Sequence, residues 1–403
     1  MGREIEANGA SLREVFLTFL KLGCTSFGGP IAHLGYFRTE FVERRRWLDD
    51  AAYADLVALS QFLPGPASSQ VGIAIGLLRA GWLGSLAAWL AFTLPSAALM
   101  IAFASGLSVW GAAAAPAAHG LVVAAVAVVA VAVLGMARTL CPDRLRAFIA
   151  MATTILMLVV PAGLATPASF LAVVFGALVG IGFVAAEPTA IGASAPLEIR
   201  VGRRTGAAML AAFATILVGL PLLAAATGSD ALRIASVFYR AGALVFGGGH
   251  VVLPWLEAGI VGASWLDAGT FFAGYGVAQA VPGPLFSFAA YLGALLPVLA
   301  GGVAGGLAML VAIFLPAYLL VVGALPFWSA LRARRGARRA MAGVNAAVVG
   351  LLLAALVTPL ATTALLSFAD VALAAGAFVA LRFGRWPPVL VVALAAVVGW
   401  ALG

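Results

Sequence analysis

Charge and cysteine are what this 403-residue chain has least of. Asp, Glu, Lys and Arg make up 9% of it, and cysteine occurs twice, at Cys24 and Cys141. Two cysteines give neither a disulfide framework nor a metal-ligand spacing. The chain also lacks HxxxH, CxxC, a phosphate-binding GxxxxGK and a helically spaced Ser/His/Asp set. An enzyme would have little to work with, no metal or cofactor is expected, and no nucleotide-binding segment is there to drive a pump. What is abundant is apolar: 64% of the residues. Long apolar runs recur to the C-terminus, at Leu121–Leu134, Phe170–Ala186, Met209–Ala225 and Ala340–Val357. A helix needs about 20 apolar residues to cross a bilayer core of about 30 Å. The fold class expected is therefore an all-α polytopic membrane protein, with the lipid bilayer as its first partner. The formal charge of +8 does not point to nucleic acid, because the basic residues sit in short clusters between apolar runs. The first apolar run carries Arg13, Glu14 and Lys21, a poor cleavable signal, so the inner (cytoplasmic) membrane is the expected location.

The chain repeats itself. Ser26–Phe27–Gly28–Gly29 returns as Val245–Phe246–Gly247–Gly248, an offset of 246 − 27 = 219. Trp47–Leu48–Asp49 returns as Trp265–Leu266–Asp267 (265 − 47 = 218), and Gln61-x-x-Pro64–Gly65–Pro66 as Gln279-x-x-Pro282–Gly283–Pro284 (279 − 61 = 218). Three motifs in one order at one spacing make an internal duplication. We divide the chain into a first repeat at 1–186, a linker with one extra helix at 187–230, and a second repeat at 231–403.

These motifs, with Leu94–Pro95 and Gly343–Val344–Asn345–Ala346–Ala347, resemble the chromate ion transporter family over roughly 12–137 and 231–355. The resemblance implies transport of chromate, with export conferring chromate resistance.

Each repeat opens with two short broken helices. Ser11 suits an N-cap, and Gly28–Gly29–Pro30 breaks the helix it starts. That helix is too short to span, so 12–43 reads as a hairpin that dips into the membrane and returns. Asp49 or Asp50 caps the next helix. Pro64–Gly65–Pro66 interrupts it, and Ser68 or Ser69 caps a half-helix to Arg79. Full spans are expected at 82–106, 118–137, 147–161 and 167–185, then a lone span at 207–226. The pattern restarts with hairpins at 232–261 and 268–296 and spans at 303–327, 341–357, 362–381 and 388–402. Basic loops alternate between the copies. Arg38, Arg44, Arg45 and Arg46 correspond to a stretch, 257–264, with no basic residue. Arg332, Arg334, Arg335, Arg338 and Arg339 correspond to the uncharged 109–118. Positive loops mark the cytoplasm, so two inverted-topology repeats are expected, N-terminus inside and C-terminus outside.

Transporters of that kind bind substrate near the midplane at broken helices, whose N-termini carry free N–H groups and partial positive charge. The candidate binding residues are accordingly Phe27, Gly28 and Gly29; Pro64, Gly65 and Pro66; Gly247 and Gly248; and Pro282, Gly283 and Pro284. The alternative is that these are turns only. Lys21 and Arg240 are repeat-equivalent and lie inside apolar helices, where a charge costs ~2.5–3.5 kcal/mol and marks a site unless it snorkels. Two cations suit a dianion. Gln61, Gln279, Ser68, Ser69 and Ser287 offer donors beside the breaks, more of them in the first repeat. Asn345 faces Val122 in the alignment of the repeats and serves ligation or helix contact equally well. Glu40 and Asp55 are the acids placed to relay a proton; Asp49 and Asp267 read as caps; His33, His119 and His250 read as structural. The physics points to a secondary transporter of a small anion, with chromate supplied by the resemblance. Sulfate, another tetrahedral dianion, is the alternative, and a lipid-acting membrane enzyme a remote one. Small residues in the spans permit a homodimer.

Overall fold

The computed structural model describes residues 11–110, 115–161, 164–184, 201–246, 249–332 and 334–402. Gly247, Gly248, the 1–10 tail and most of the polar linker lie outside them. Every element among the described residues is helical. The first repeat runs α1 (Leu12–Thr25), α2 (Gly29–Arg38), a π turn (Thr39–Arg44), α3 (Asp50–Phe62), α4 (Ala67–Trp110), α5 (Ala115–Leu140), α6 (Arg144–Val159) and α7 (Ala165–Phe183). Then comes α8 (Arg203–Thr227). The second repeat follows with α9 (Asp230–Ala243), α10 (Val252–Ile260), α11 (Ala268–Ala280), α12 (Phe288–Leu295), α13 (Gly302–Ala324), α14 (Trp328–Arg332), α15 (Arg335–Ala355), the single turn α16 (Thr362–Ala364), α17 (Phe368–Arg382) and α18 (Pro388–Leu402).

The caps explain where the short helices begin. Ser11 accepts from the Glu14 amide at 3.1 Å, Asp49 from Ala52 at 2.7 Å and Asp267 from Thr270 at 2.8 Å. α4 starts straight after Pro66, so Ser68 and Ser69 lie inside its first turn instead of capping it. At Ala80–Gly81 the backbone leaves helical geometry, Gly81 taking φ 64° and ψ −153°. The chain reverses there so tightly that Gly76 and Gly84 touch. α4 is therefore two antiparallel arms, 67–79 and 82–110. The second repeat makes the same reversal between α12 and α13. Gly301 takes φ 70° and ψ −149°, and Gly293 touches Gly305.

Five segments are long and apolar enough to cross a membrane: 67–107, where after the reversal the second arm of α4 alone has that length, then α5, α8, 302–331 and 335–364. The expected spans at 147–161, 167–185, 362–381 and 388–402 fall on shorter helices, and of these only the third is cut back from its expected length. They are α6, α7, α17 and α18, of 16, 19, 15 and 15 residues, or about 22–29 Å at 1.5 Å per residue. The span placed at 362–381 is divided. A capping box between Ser367 and Asp370 starts α17 at Phe368, and 362–364 finishes the preceding helix.

The two repeats are interlocked. α5 of the first packs on α17 and α18 of the second, and α15 of the second packs on α6 and α7 of the first. Glycine permits both crossings. Gly120 lies against Ala395 and Gly399, and Gly343 against Gly176 and Gly180, with no room for a Cβ on either. α8 stands apart, little buried, and packs mainly along α9, α13 and the turn after α13. That face suits contact with lipid.

Candidate functional site

The helix breaks converge, and they do so crosswise. α1 closes on α4 because Gly23 sits directly on the carbonyls of Ala91 and Phe92. α9 closes on α13 in the same way, Gly242 lying on the carbonyl of Ile313. Each Pro-Gly-Pro break then reaches into the other repeat. The Gly65 amide donates to the Val245 carbonyl at 2.7 Å, and the Gly283 amide donates to the Ser26 carbonyl at 2.9 Å. Ser26 and Val245 are repeat counterparts, as are Gly65 and Gly283, so the two bonds are one contact made twice with the partners exchanged. Such reciprocity is what a two-fold relation between the repeats produces. The glycines are required here. Gly65 has φ 125° and Gly283 φ 96°, and a Cβ on Gly65 would meet Ala317 and Gln70, one on Gly283 would meet Ser96.

Polar atoms left without partners gather around these breaks. The hydroxyls of Ser26, Ser69, Thr93 and Ser287 and the amide nitrogen of Gln279 are buried and have no hydrogen-bond partner among the described residues. All five can donate, which is the complement an oxyanion needs. At the start of α4 the first intrahelical bond runs from Gln70 to Pro66, so the amides of Ala67, Ser68 and Ser69 stay free of the helix. Gln70 itself supports the break by donating to the Pro64 carbonyl at 2.8 Å. The Asn345 side-chain oxygen is also buried and unpartnered.

The other predicted residues are distributed differently. Lys21 is 53% exposed and pairs with Glu40 at 3.6 Å, and Glu40 also binds Arg44 and Arg45. Burial pushes the Glu40 carboxyl upward, but the Arg45 hydrogen bond and the charges of Lys21, Arg44 and Arg45 outweigh it and hold it below the ordinary carboxylate range. Arg240 does not join Lys21. It is half-buried beside a small cleft with Phe170, Trp255 and Gly259, donates to the Ser236 carbonyl at 3.3 Å, and pairs with no carboxylate among the described residues. Asp55 is buried and accepts from the Trp328 indole at 2.9 Å. Gln61 and Phe27 are exposed, and Gln279 is half-buried. Gly28 and Gly29 take φ 94° and 77°, turning the chain from α1 into α2. Pro64 and Pro282 are half-buried, and Pro66 and Pro284 are buried at the junctions.

A family model described as chromate transporter matches residues 13–181 and again 232–400. The chain belongs to the chromate transporter family. It is a membrane transporter and not an enzyme, and the double match repeats the duplication seen in the motifs. It is 30% identical over 338 residues to a probable chromate transport protein of Synechococcus elongatus, covering 79% of this chain and 77% of that one. It is 30% identical over 355 residues to a chromate transport protein of Pseudomonas aeruginosa, covering 85% and 79%. A chromate transport protein of Cupriavidus metallidurans is 28% identical over 413 residues, covering 96% and 92%. No solved structure matches the chain.

In this chromate transporter family member, three residues that the sequence does not mark as site candidates lie beside the crossing. Thr93 and Ser96 follow the first repeat's second break inside an apolar helix, where a lone hydroxyl attracts no notice. His33 was read as structural, yet it lies at the crossing itself. Its ring is 1% exposed, with Nε2 3.2 Å from the Ser26 carbonyl and Nδ1 3.3 Å from the Ser68 hydroxyl.

Proposed function

We propose that the protein exports chromate across the inner membrane by alternating access, binding the dianion where the helix breaks of two inverted repeats cross. The observation that carries this reading is the exchanged pair of backbone bonds, Gly65 to Val245 and Gly283 to Ser26, set among buried donors that lack partners. A site of amides and hydroxyls, with helix N-termini as its positive element, fits an anion whose charge is spread over four oxygens. Chromate is the substrate because the relatives bear that name; sulfate has the same shape and charge and is expected to compete. The cluster of Lys21, Arg44 and Arg45 around Glu40 forms a cationic mouth that gathers anions before they reach the breaks. Direction follows from the membrane potential. At about 2.3 kcal/mol per charge per 100 mV, a dianion leaving an inside-negative cell runs downhill by about 4.6 kcal/mol per 100 mV.

Everted membrane vesicles loaded with the protein test this. An imposed lumen-positive potential is expected to drive accumulation of radiolabelled chromate, and excess sulfate to reduce it. No potential-dependent accumulation above protein-free vesicles would overturn the reading.

A further inference from the structure

The two reciprocal crossings are not chemically alike. Where Gly283 meets the first repeat, Ser26, His33, Ser68 and Ser96 surround it, and Thr93, one turn before Ser96, carries a buried hydroxyl without a partner. His33 joins Ser26 to Ser68, Ser96 donates to the Thr93 carbonyl at 2.9 Å, and Ser96 lies under Gly283. Their repeat counterparts can be read off by offset: 219 at the first break, 218 at the second, and 316 − 95 = 221 at the prolines inside α4 and α13. Those counterparts are Val245, Val252, Phe286, Phe314 and Ala317, all apolar. At the Gly283 crossing the facing repeat supplies hydroxyls and an imidazole; at the Gly65 crossing it supplies only apolar side chains, and the polar group there, Gln70, comes from the break's own repeat and is tied to the Pro64 carbonyl.

Within the polar crossing His33 holds a particular place. The Ser26 carbonyl can only accept, and it receives the Gly283 amide of the other repeat and the imidazole of its own. Nε2 therefore carries a hydrogen. Neutral His33 leaves Nδ1 bare, and Nδ1 takes the hydroxyl hydrogen of Ser68. Protonated His33 needs Ser68 as an acceptor, which turns the Ser68 hydrogen outward and makes it a donor to a ligand. The remaining ring neighbour is Phe92, edge-on at 5.3 Å.

The charged groups on the elements packed around His33 are already engaged or turned outward. On α1, Glu14 pairs with Arg45, Lys21 pairs with Glu40, and Arg13 is exposed. On α2 and the π turn, Arg38 pairs with Glu43 and Asp50, and Arg44 pairs with Glu40. Asp55 of α3 is bound to Trp328, and Arg79 of α4 lies over Trp47. Among the described residues no carboxylate pairs with His33 as a counter-ion for an imidazolium. A bound dianion would be one.

We infer that the protein has a single oxyanion site, at the crossing of Gly283 with the first repeat, and that His33 takes up a proton there together with the anion. The inference rests on the transport reading above and deepens it: proton and oxyanion bind cooperatively, each supplying what the other lacks. With charge on His33, part of the dianion's charge is neutralised in transit and its movement becomes pH-dependent.

The test uses the full chain, purified and weakly buffered at neutral to mildly alkaline pH, with chromate as ligand and a protein-free blank to correct for chromate's own protonation. Wild type is expected to take up about one proton per chromate bound, and its affinity to weaken by up to about tenfold per pH unit as pH rises. His33→Gln, which keeps a donor for the Ser26 carbonyl, is expected to bind chromate with no proton uptake and a flat pH profile. Thr93→Val should weaken binding. Chromate binding by wild type without proton uptake overturns the inference whatever the variants do. So does unchanged uptake in His33→Gln, or unchanged chromate affinity in Thr93→Val. Failure of wild type to bind chromate at any pH would instead bring down the transport reading itself.

Discussion

The residues most informative about binding are the ones that gain nothing from the fold. A buried hydroxyl without a partner costs about 1–3 kcal/mol, so Ser69 at 2% exposure is retained against stability. Replacing Ser69 by alanine should therefore leave the melting temperature equal or higher while chromate binding weakens. The loss of one hydrogen bond to an ion, about 1.5–3 kcal/mol, amounts to roughly a 10- to 150-fold rise in Kd. A fall in melting temperature with unchanged affinity would make Ser69 a packing residue. The two cations separate by exposure. Lys21 is half in solvent and shares Glu40 with two arginines, so Lys21→Gln should lower kcat/KM a fewfold at low ionic strength and hardly at all at high salt. Arg240 is more enclosed, and the loss from Arg240→Gln should not vary with salt. Identical salt dependence for both would remove the distinction drawn between mouth and interior.

At the scale of elements, the breaks were plain in the sequence, because proline and glycine interrupt a helix for reasons that need no tertiary context. The caps at Ser11, Asp49 and Asp267 were equally local. The partners of the breaks were not legible. A repeat offset says that Gly65 and Gly283 correspond, but not that each bonds to the opposite repeat. Lys21 looked isolated because Glu40 lies 19 residues on, past a hairpin whose packing brings the two together. The division of 362–381 at Ser367 was hidden by apolar flanks that merge its two parts in a hydropathy reading. Two element-scale predictions follow from the contacts. Replacing Pro64, Gly65 and Pro66 together by alanine lets α3 and the start of α4 join, since alanine is favoured over glycine by about 1 kcal/mol and over proline by about 3 in a helix interior. The free amides of Ala67, Ser68 and Ser69 would then enter i→i−4 bonds. The variant should insert normally but lose chromate protection of a cysteine placed at Ser69, and persistent protection would show the break to be a turn only. Gly343→Ala and Gly120→Ala each press a methyl into backbone of the facing helix, an overpacking cost of about 1–3 kcal/mol. Both should lower thermal stability in detergent, whereas Gly376→Ala, with open space around it, should not. Equal behaviour of all three would mean that the crossings of α5 and α15 are loose.

For the whole molecule, the question is how the two repeats lie in the bilayer. Their equivalence extends to backbone detail: Arg46 and Ser264, 218 residues apart, both adopt the left-handed region, φ 53° and 60°, immediately before Trp47 and Trp265. A side chain without glycine's freedom takes that conformation only when its surroundings impose it, so the same local structure is built twice. Yet the loop at Arg46 follows two other arginines, whereas the loop at Ser264 carries no basic residue. If the copies were parallel, these equivalent loops would face the same compartment, and the basic residues would be expected on both. If α8, a single helix between them, inverts the second copy, the first loop faces the cytoplasm and the second the outside, in line with the bias of positive charge. Single cysteines at Arg46 and Ser264, introduced after Cys24 and Cys141 are replaced by serine, decide between the two. A membrane-impermeant maleimide added to intact spheroplasts should label position 264 and not 46, and in everted vesicles the pattern should reverse. Labelling of both from the same side would refute the inversion, and with it the placement of the crossed breaks at the midplane where either compartment can reach them.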